Sequence, residues 1–420
     1  AIKGRKKDGN RFVNEALKNK ASIAVVNKIQ KNLPVNKQIK VKNTLKFLTH
    51  ISKIYRKNIN TSIIAITGSC GKTTLKELLG DTLRKIFKVS ISPKSYNNKF
   101  GVPLSLLNIK NDDNFGILEV GMDKKGEIDY LSKIIRPDVS VITNINFAHA
   151  KNFKSIRHIA IAKSEIIQNT KPGGFVVLNA DDDFFNLHKK KVIQNNLKLV
   201  TFGIKNQISN VKFLNIRKEK NYFQLCVQIN SFKKNFLLSN NFQSNIYNVL
   251  AALATMSIYI NITNLKKNTF FKFKVPPGRG DLSKIKVFKK NINLVDESYN
   301  SNPLSLELAI LNYNKIISKK SKNYILLGDM LELGKLSKKL HQKIATIINK
   351  TKIDKVFIKG HYMKYMFEKL SSSKKGRILS SKSQIIDLLR NDLSNNDSLM
   401  VKASNATGFN KIIKEIKGIN

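Results

Sequence analysis

Ile63-Ile-Ala-Ile-Thr67-Gly-Ser-Cys-Gly-Lys-Thr-Thr74 decides the fold class. An apolar, β-branched run meets a glycine loop ending in Lys-Thr, and Leu75, Leu78, Leu79, Leu83 and Ile86 then follow at helical spacing. Strand, glycine loop and helix in that order direct backbone N–H groups and a helix dipole at one point, where a polyphosphate can sit. Gly68 and Gly71 allow close backbone approach, Lys72 can reach the outer phosphates, and the Thr73 hydroxyl can ligate magnesium. The loop is shorter than the general phosphate-loop motif, because Ile66 stands where a further glycine is usual. An ATP-consuming enzyme is the expectation.

Outward from the loop, strand-like and helix-like stretches alternate at 115–120, 126–135, 139–143 and 155–169. Such alternation predicts a mostly parallel sheet covered on both faces. Residues 198–238 lose the helical period and predict an antiparallel insert or edge, and a helix is expected over 242–258. Val275-Pro-Pro-Gly-Arg-Gly280 is the strongest breaker cluster, and a second α/β series begins after it, with strands expected at 292–295, 324–327, 355–358 and 399–401. Three domains are therefore expected: 1–60, 61–280 and 281–420. The first is Lys-rich and short, with an apolar run at 21–26 and a helix-like pattern through Leu45, Leu48, Ile51 and Ile54.

The chain has 420 residues, 41% of them hydrophobic, enough for two or three cores. No run of about 18 apolar residues exists, so no membrane-spanning helix is expected. Cys70 and Cys226 lie far apart and form no disulfide or metal pattern. A cytoplasmic setting fits. The 76 Lys plus Arg against 28 Asp plus Glu give a formal charge of +48. A nucleic-acid binder can look like this. The basic residues are spread along the whole chain with no aromatic-studded patch, so a solvated basic surface is expected instead.

Three further residues carry chemistry. Glu119 ends the strand 117–119, where a parallel sheet presents carboxyl-edge residues that can ligate magnesium. His149 follows the strand ending at Val141-Ile-Thr-Asn144. Lys163 falls on the apolar stripe Ile156, Ala160 and Ile167 of its helix. An inward lysine is costly unless paired, neutralised or chemically modified, the other option being a head that snorkels outward. A neutral lysine amine can take up carbon dioxide, and the carbamate would supply a carboxylate to a second metal ion.

The motifs TGSCGKTT at 67–74, Tyr96-Asn-Asn-Lys-Phe-Gly-Val-Pro-Leu104, Leu118-Glu-Val-Gly121, Thr143-Asn-Ile145 with Ala148-His149, and Ala162-Lys-Ser-Glu165 together resemble the central domain of the Mur ligases. Asp296-Glu-Ser-Tyr-Asn-Ser-Asn-Pro303 and Gly328-Asp-Met-Leu-Glu-Leu-Gly334 with His341 resemble the branch of that family that adds a dipeptide. The resemblance spans essentially the whole chain. It implies a three-domain α/β architecture: a truncated N-terminal uridine-side domain, a central ATP-binding parallel-sheet domain and a C-terminal Rossmann-like domain. It implies a monomer that ligates D-alanyl-D-alanine to UDP-N-acetylmuramoyl-tripeptide with ATP, two magnesium ions and a carbamylated Lys163, without nucleic acid or membrane.

By position, the resemblance implies that Thr67, Gly68, Ser69, Cys70, Gly71, Lys72, Thr73 and Thr74 cradle the phosphates. Thr73 and Glu119 would hold one magnesium, and Glu119, His149 and carbamylated Lys163 the second. Asn245 and Asn248 match the adenine side, Arg279 the arginine reaching the γ-phosphate, Asp296 the ribose contact, and Asn300 a residue closing the nucleotide site. Asn97, Asn98 and Ser404 would lie toward the peptide substrates. Asp8, Gly9 and Asn10 match the uridine-side segment, with Asn10 where histidine is usual, and Asp123 stands where asparagine is usual. The alternatives within the family are a sister ligase adding a diamino acid or one adding glutamate to folate; against the diamino acid reading no D-N-P-R-like element is present, and the 296–303 stretch favours the dipeptide-adding branch. A nucleic-acid-stimulated ATPase would not account for Glu119, His149 and Lys163 together.

Overall fold

The structure is a computed structural model, and it describes residues 1–4, 7–220, 222–239, 242, 245–316 and 321–418. Three sheets organise it. The first is a parallel pair, β1 (Ala24–Val26) and β2 (Gln38–Lys40). The helix Thr44–Asn58 follows and packs on the central unit. Ser52 Oγ there donates to Pro103 O, and the buried Arg56 guanidinium holds Ile135 O, Arg136 O and the Asp138 carboxylate.

The central sheet comprises β3 (Ser62–Thr67), β4 (Val89–Ile91), β5 (Phe115–Glu119), β6 (Val139–Ile142), β7 (Phe175–Asn179), β8 (Lys198–Gly203), β9 (Val211–Lys218), β10 (Tyr222–Ile229) and β11 (Phe232–Ser239). Its order is β11-β10-β9-β8-β7-β6-β3-β5-β4, parallel from β4 through β9, with β9, β10 and β11 antiparallel at the edge. The sheet is therefore parallel with an antiparallel edge, as the loss of helical period after residue 198 anticipates. In β3, Ile64 and Ile66 enter one core while Ile63 and Ala65 enter the other. A strand buried on both faces reads as a continuous apolar run, which is why 63–66 shows no alternation.

Local differences have physical causes. The helix after the loop is Lys72–Leu83 and ends before Ile86, which is exposed. Residues 155–169 form two helices, Ile156–Lys163 and Glu165–Gln168, parted at Ser164, whose hydroxyl donates to Ile161 O. Such back-bonding competes with the helical ladder. Glu165 turns away to accept from Gly126 N and Asp129 N, capping the helix Glu127–Ile135. The helix expected over 242–258 is Ile246–Met256; residues 243 and 244 of its expected start lie outside the described residues.

The third sheet comprises β12 (Asp281–Val287), β13 (Lys290–Glu297), β14 (Asn323–Gly328), β15 (Lys355–Lys359), β16 (Lys375–Ile378) and β17 (Ser398–Lys402), in the order β12-β13-β17-β14-β15-β16. β12 is antiparallel to β13; the remaining pairs are parallel. The four strands expected here are its middle, and β12 and β16 add its edges. In β14, Ile325 and Leu327 face one core and Tyr324 and Leu326 the other.

Candidate active site

β3 lies between β5 and β6, so its C-terminal end opens where the strand order reverses, the usual place for a ligand in a doubly wound sheet. Gly68 has φ +144, and an added Cβ would stand 1.9 Å from Thr143 Oγ1. Gly71 has φ +84, with Asn248 Oδ1 2.7 Å from where a Cβ would be. Only glycine fits both places. Asn144 Oδ1 accepts from Cys70 N, and Thr143 Oγ1 donates to Cys70 O, so the strand end of β6 braces the loop.

Lys72 and Lys163 converge: their terminal nitrogens donate to the same carbonyl, Gly68 O, at 2.8 and 3.0 Å. Lys163 is buried, and burial, reinforced by the neighbouring Lys72 charge, holds its amine well below the ordinary lysine range. Thr73 Oγ1 donates to Glu119 Oε2 at 2.6 Å, and Asn97 Nδ2 donates to Glu119 Oε1 at 2.7 Å. A hydroxyl and a buried carboxylate at the mouth of a phosphate loop are hard oxygen donors suited to magnesium.

The C-terminal unit roofs this loop. Tyr299 OH donates to Ser95 Oγ at 2.7 Å, and the Arg279 guanidinium, 4.1 Å above the Tyr299 ring, reaches the same oxygen at 3.3 Å. Asn302 Nδ2 donates to Ser69 O, and Cys70 Sγ donates to Asn302 Oδ1. Asn248 meets Asn245 through Nδ2 to Oδ1 at 3.0 Å beside Gly71. Among the residues reaching this loop from the C-terminal side, Tyr299 and Asn302 are not among the expected nucleotide residues, while the expected Asp296 and Asn300 have partners within their own unit.

Other expected site residues have local partners. Buried Asp296 accepts from Ser298 N and Oγ and pairs with Lys417. Asn300 O accepts from Lys402 Nζ, which also pairs with Glu297. Ser404 is buried; its hydroxyl accepts from Leu331 N and donates to Ser301 O, tying two loops together. Asn98 Oδ1 accepts from Phe100 N and Gly101 N, at the start of the helix Gly101–Leu107. Asp8 caps the turn Gly9–Phe12, and Asn10 bridges Asp8 to Asn27 in the N-terminal unit. His149, at φ +55, directs Nδ1 to Asp123 Oδ1 at 2.9 Å and to Glu332 Oε2. Among the described residues no hydrogen bond or ion pair joins it to Glu119 or Lys163. The His149 imidazole beside it, close but not aligned for a hydrogen bond, pulls the Glu332 carboxyl down to about 2.

Residues 66–256 match the family model of the Mur ligase middle domain, and residues 284–405 that of the Mur ligase, glutamate ligase domain. The UDP-N-acetylmuramoyl-tripeptide--D-alanyl-D-alanine ligase of Buchnera aphidicola subsp. Acyrthosiphon pisum is 35% identical, over 99% of this chain and 89% of its own length. The chain belongs to the Mur ligase family. The Bacillus subtilis ligase of the same description is 28% identical, over 99% of this chain and 89% of its own. The Mur ligase fold is shared with solved structures: MurF from Acinetobacter baumannii (TM-score 0.85, 24% identity, 100% of this chain and 90% of that one) and MurF from Thermotoga maritima in complex with ADP (0.83, 23%, 100% and 93%).

Within this Mur ligase several site residues escape a reading of the sequence. Ser95 directly precedes the 96–104 motif, and Tyr299 and Asn302 sit inside the 296–303 motif, but no spacing shows that they meet across the seam. The Glu332–His149 contact joins residues 183 positions apart and leaves no local pattern.

Proposed function

We propose that this chain joins D-alanyl-D-alanine to UDP-N-acetylmuramoyl-tripeptide, forming an amide bond as ATP becomes ADP and phosphate, a cytoplasmic step of peptidoglycan precursor synthesis. The observation that carries the reading is the seam. Lys72, Thr73, Glu119 and Lys163 of the central unit surround a phosphate loop that Asn302 of the C-terminal unit touches at Ser69 and Cys70, while Tyr299 and, from the boundary segment, Arg279 converge on neighbouring Ser95. The end-to-end likeness to ligases named for this reaction supports the choice among sister activities.

A carboxylate is a poor acyl donor because oxide would have to leave. Attack of the tripeptide carboxylate on the γ-phosphorus gives an acyl phosphate, whose phosphate the neutral D-alanyl-D-alanine amine then displaces through a tetrahedral intermediate. Lys72 and the loop N–H groups hold the β- and γ-phosphates, and Arg279 stabilises charge on the transferring group. Thr73 and Glu119 would hold one magnesium, and Glu119, His149 and a carbamate on Lys163 the second. When bound, the ions screen the repulsion between carboxylate and triphosphate. Asn245 and Asn248 take the adenine side, Asp296 the ribose, with Asn300 closing the nucleotide site. Asp8, Gly9 and Asn10 face the uridine end, and Asn97, Asn98 and Ser404 shape the peptide side. The seam excludes water that would hydrolyse the acyl phosphate.

The test is phosphate release from ATP with magnesium and UDP-N-acetylmuramoyl-tripeptide, supplying D-alanyl-D-alanine, diaminopimelate or DNA in separate reactions. Release and a dipeptide-extended product with D-alanyl-D-alanine alone are expected. Release that depends on diaminopimelate or on DNA instead overturns the reading.

A further inference from the structure

Two loops from different units close on His149. One is the turn Ala150–Asn152 that His149 begins, on the central unit; the other surrounds Glu332, after β14 of the C-terminal unit. Lys151 N donates to Glu332 O at 2.9 Å, and Lys151 Nζ lies 3.4 Å from Glu332 Oε1. A Cβ added to Gly334 (φ +57) would stand 3.0 Å from Lys151 Cα, so the loops are in close contact. His149 and Glu332 both occupy the left-handed region, at φ +55 and +66. Non-glycine residues stay there only where the surrounding structure holds them, and such positions cluster at functional sites.

The ring geometry gives this contact a chemical meaning. Asp123 Oδ1 and Glu332 Oε2 both lie close to Nδ1, neither aligned for a hydrogen bond, and two anions beside that nitrogen favour keeping the ring proton on it. In the neutral imidazole the lone pair is then on Nε2. A histidine held in this way is oriented as a metal ligand and made more basic through its other nitrogen. Asp123 belongs to the same unit as His149. Glu332 arrives only with the C-terminal unit.

We propose that Glu332 is a positioning residue that couples docking of the C-terminal unit to the orientation of His149, so that the magnesium ligand set is complete only when the seam is closed. The inference rests on the reading of His149 as a metal ligand given above. Glu332 touches no reacting atom; it acts through the imidazole.

The test counts Mn²⁺ bound to the full chain saturated with a non-hydrolysable ATP analogue, from loss of the free-ion electron paramagnetic resonance signal. His149→Ala should lose one ion. Glu332→Ala should bind that ion about 10-fold more weakly, the usual scale for removing the partner of a ligating histidine. Glu332→Gln, whose amide oxygen can stand beside Nδ1 as an acceptor, should restore most of the affinity. Ligation by Glu332→Ala should recover at high magnesium, which a merely structural defect would not allow, and thermal melting confirms that each variant is folded. Wild-type ion binding in Glu332→Ala, with one ion lost in His149→Ala, overturns the positioning role and leaves the ligand reading standing. Two ions retained in His149→Ala overturn both.

Discussion

Burying the Lys163 amine beside Lys72, with both groups directed at Gly68 O, favours the neutral form, and only a neutral amine adds to carbon dioxide. The same burial that makes the residue a poor cation prepares it to become a carbamate, which would place an anion between Lys72 and the metal side. Lys163→Ala is expected to lower ligation by roughly 10²- to 10³-fold, the scale of losing one fixed charge-stabilising group. Added acetate or formate should partly restore the rate by supplying the missing carboxylate. Initial rates of dipeptide ligation across an acetate series measure this. An unaltered rate in the variant would sink the carbamate role, whereas a low rate with no rescue would point to a packing role for the stem.

At the scale of elements, the helix Phe185–Gln194 is fastened to the Lys163 helix by buried His188, whose Nε2 lies 3.1 Å from Ala160 O. Burial pulls this imidazole down from 6.5 to about 4. The unfolded chain therefore takes up the proton first as pH falls, and stability drops between pH 6.5 and about 4, by about 3 kcal/mol at most from this group. Above pH 6.5 both states are neutral and the term vanishes. His188→Gln can still donate to Ala160 O but carries no titration, so its denaturant midpoint should fall less steeply over that window. Parallel slopes for the two proteins would mean that His188 is charged in the native state.

How far these elements were legible depended on whether their cause was local. The 63–66 run, the glycine loop and the leucine spacing after it dictate strand, turn and helix from neighbours alone, and all three are present. The Ser164 break is hidden in the sequence, because the apolar stripe continues through it while a side-chain back-bond and the bonds of Glu165 to a distant helix end interrupt the ladder. β12 and β16 lie at sheet edges, where polar residues such as Lys284, Lys286 and Arg377 dilute the apolar signal. Site residues were visible where a motif carries them, as at Lys72 and Glu119. Ser95 and Glu332 gain their roles from partners on another unit, which no spacing encodes.

For the whole molecule, the formal charge of +48 is distributed across every unit, so it acts as a field. Such a field attracts anions over distances set by the Debye length, about 10 Å at 0.1 M salt, and its effect on association falls steeply with ionic strength. The three substrates differ in how they should respond. The nucleotide-sugar tripeptide and ATP are polyanions, whereas D-alanyl-D-alanine is a zwitterion with no net charge at neutral pH. Raising the salt from low to physiological strength is therefore expected to slow association of the UDP-linked substrate by about 10-fold, while the D-alanyl-D-alanine KM and the turnover number change little. Stopped-flow association of the UDP-linked substrate, beside a KM series for the dipeptide, separates the cases. Equal salt sensitivity for all three would implicate the seam itself, where Lys151 of the central unit pairs with Glu332 of the C-terminal unit. Insensitivity of all three would leave the charge as a solvated surface with no part in substrate capture.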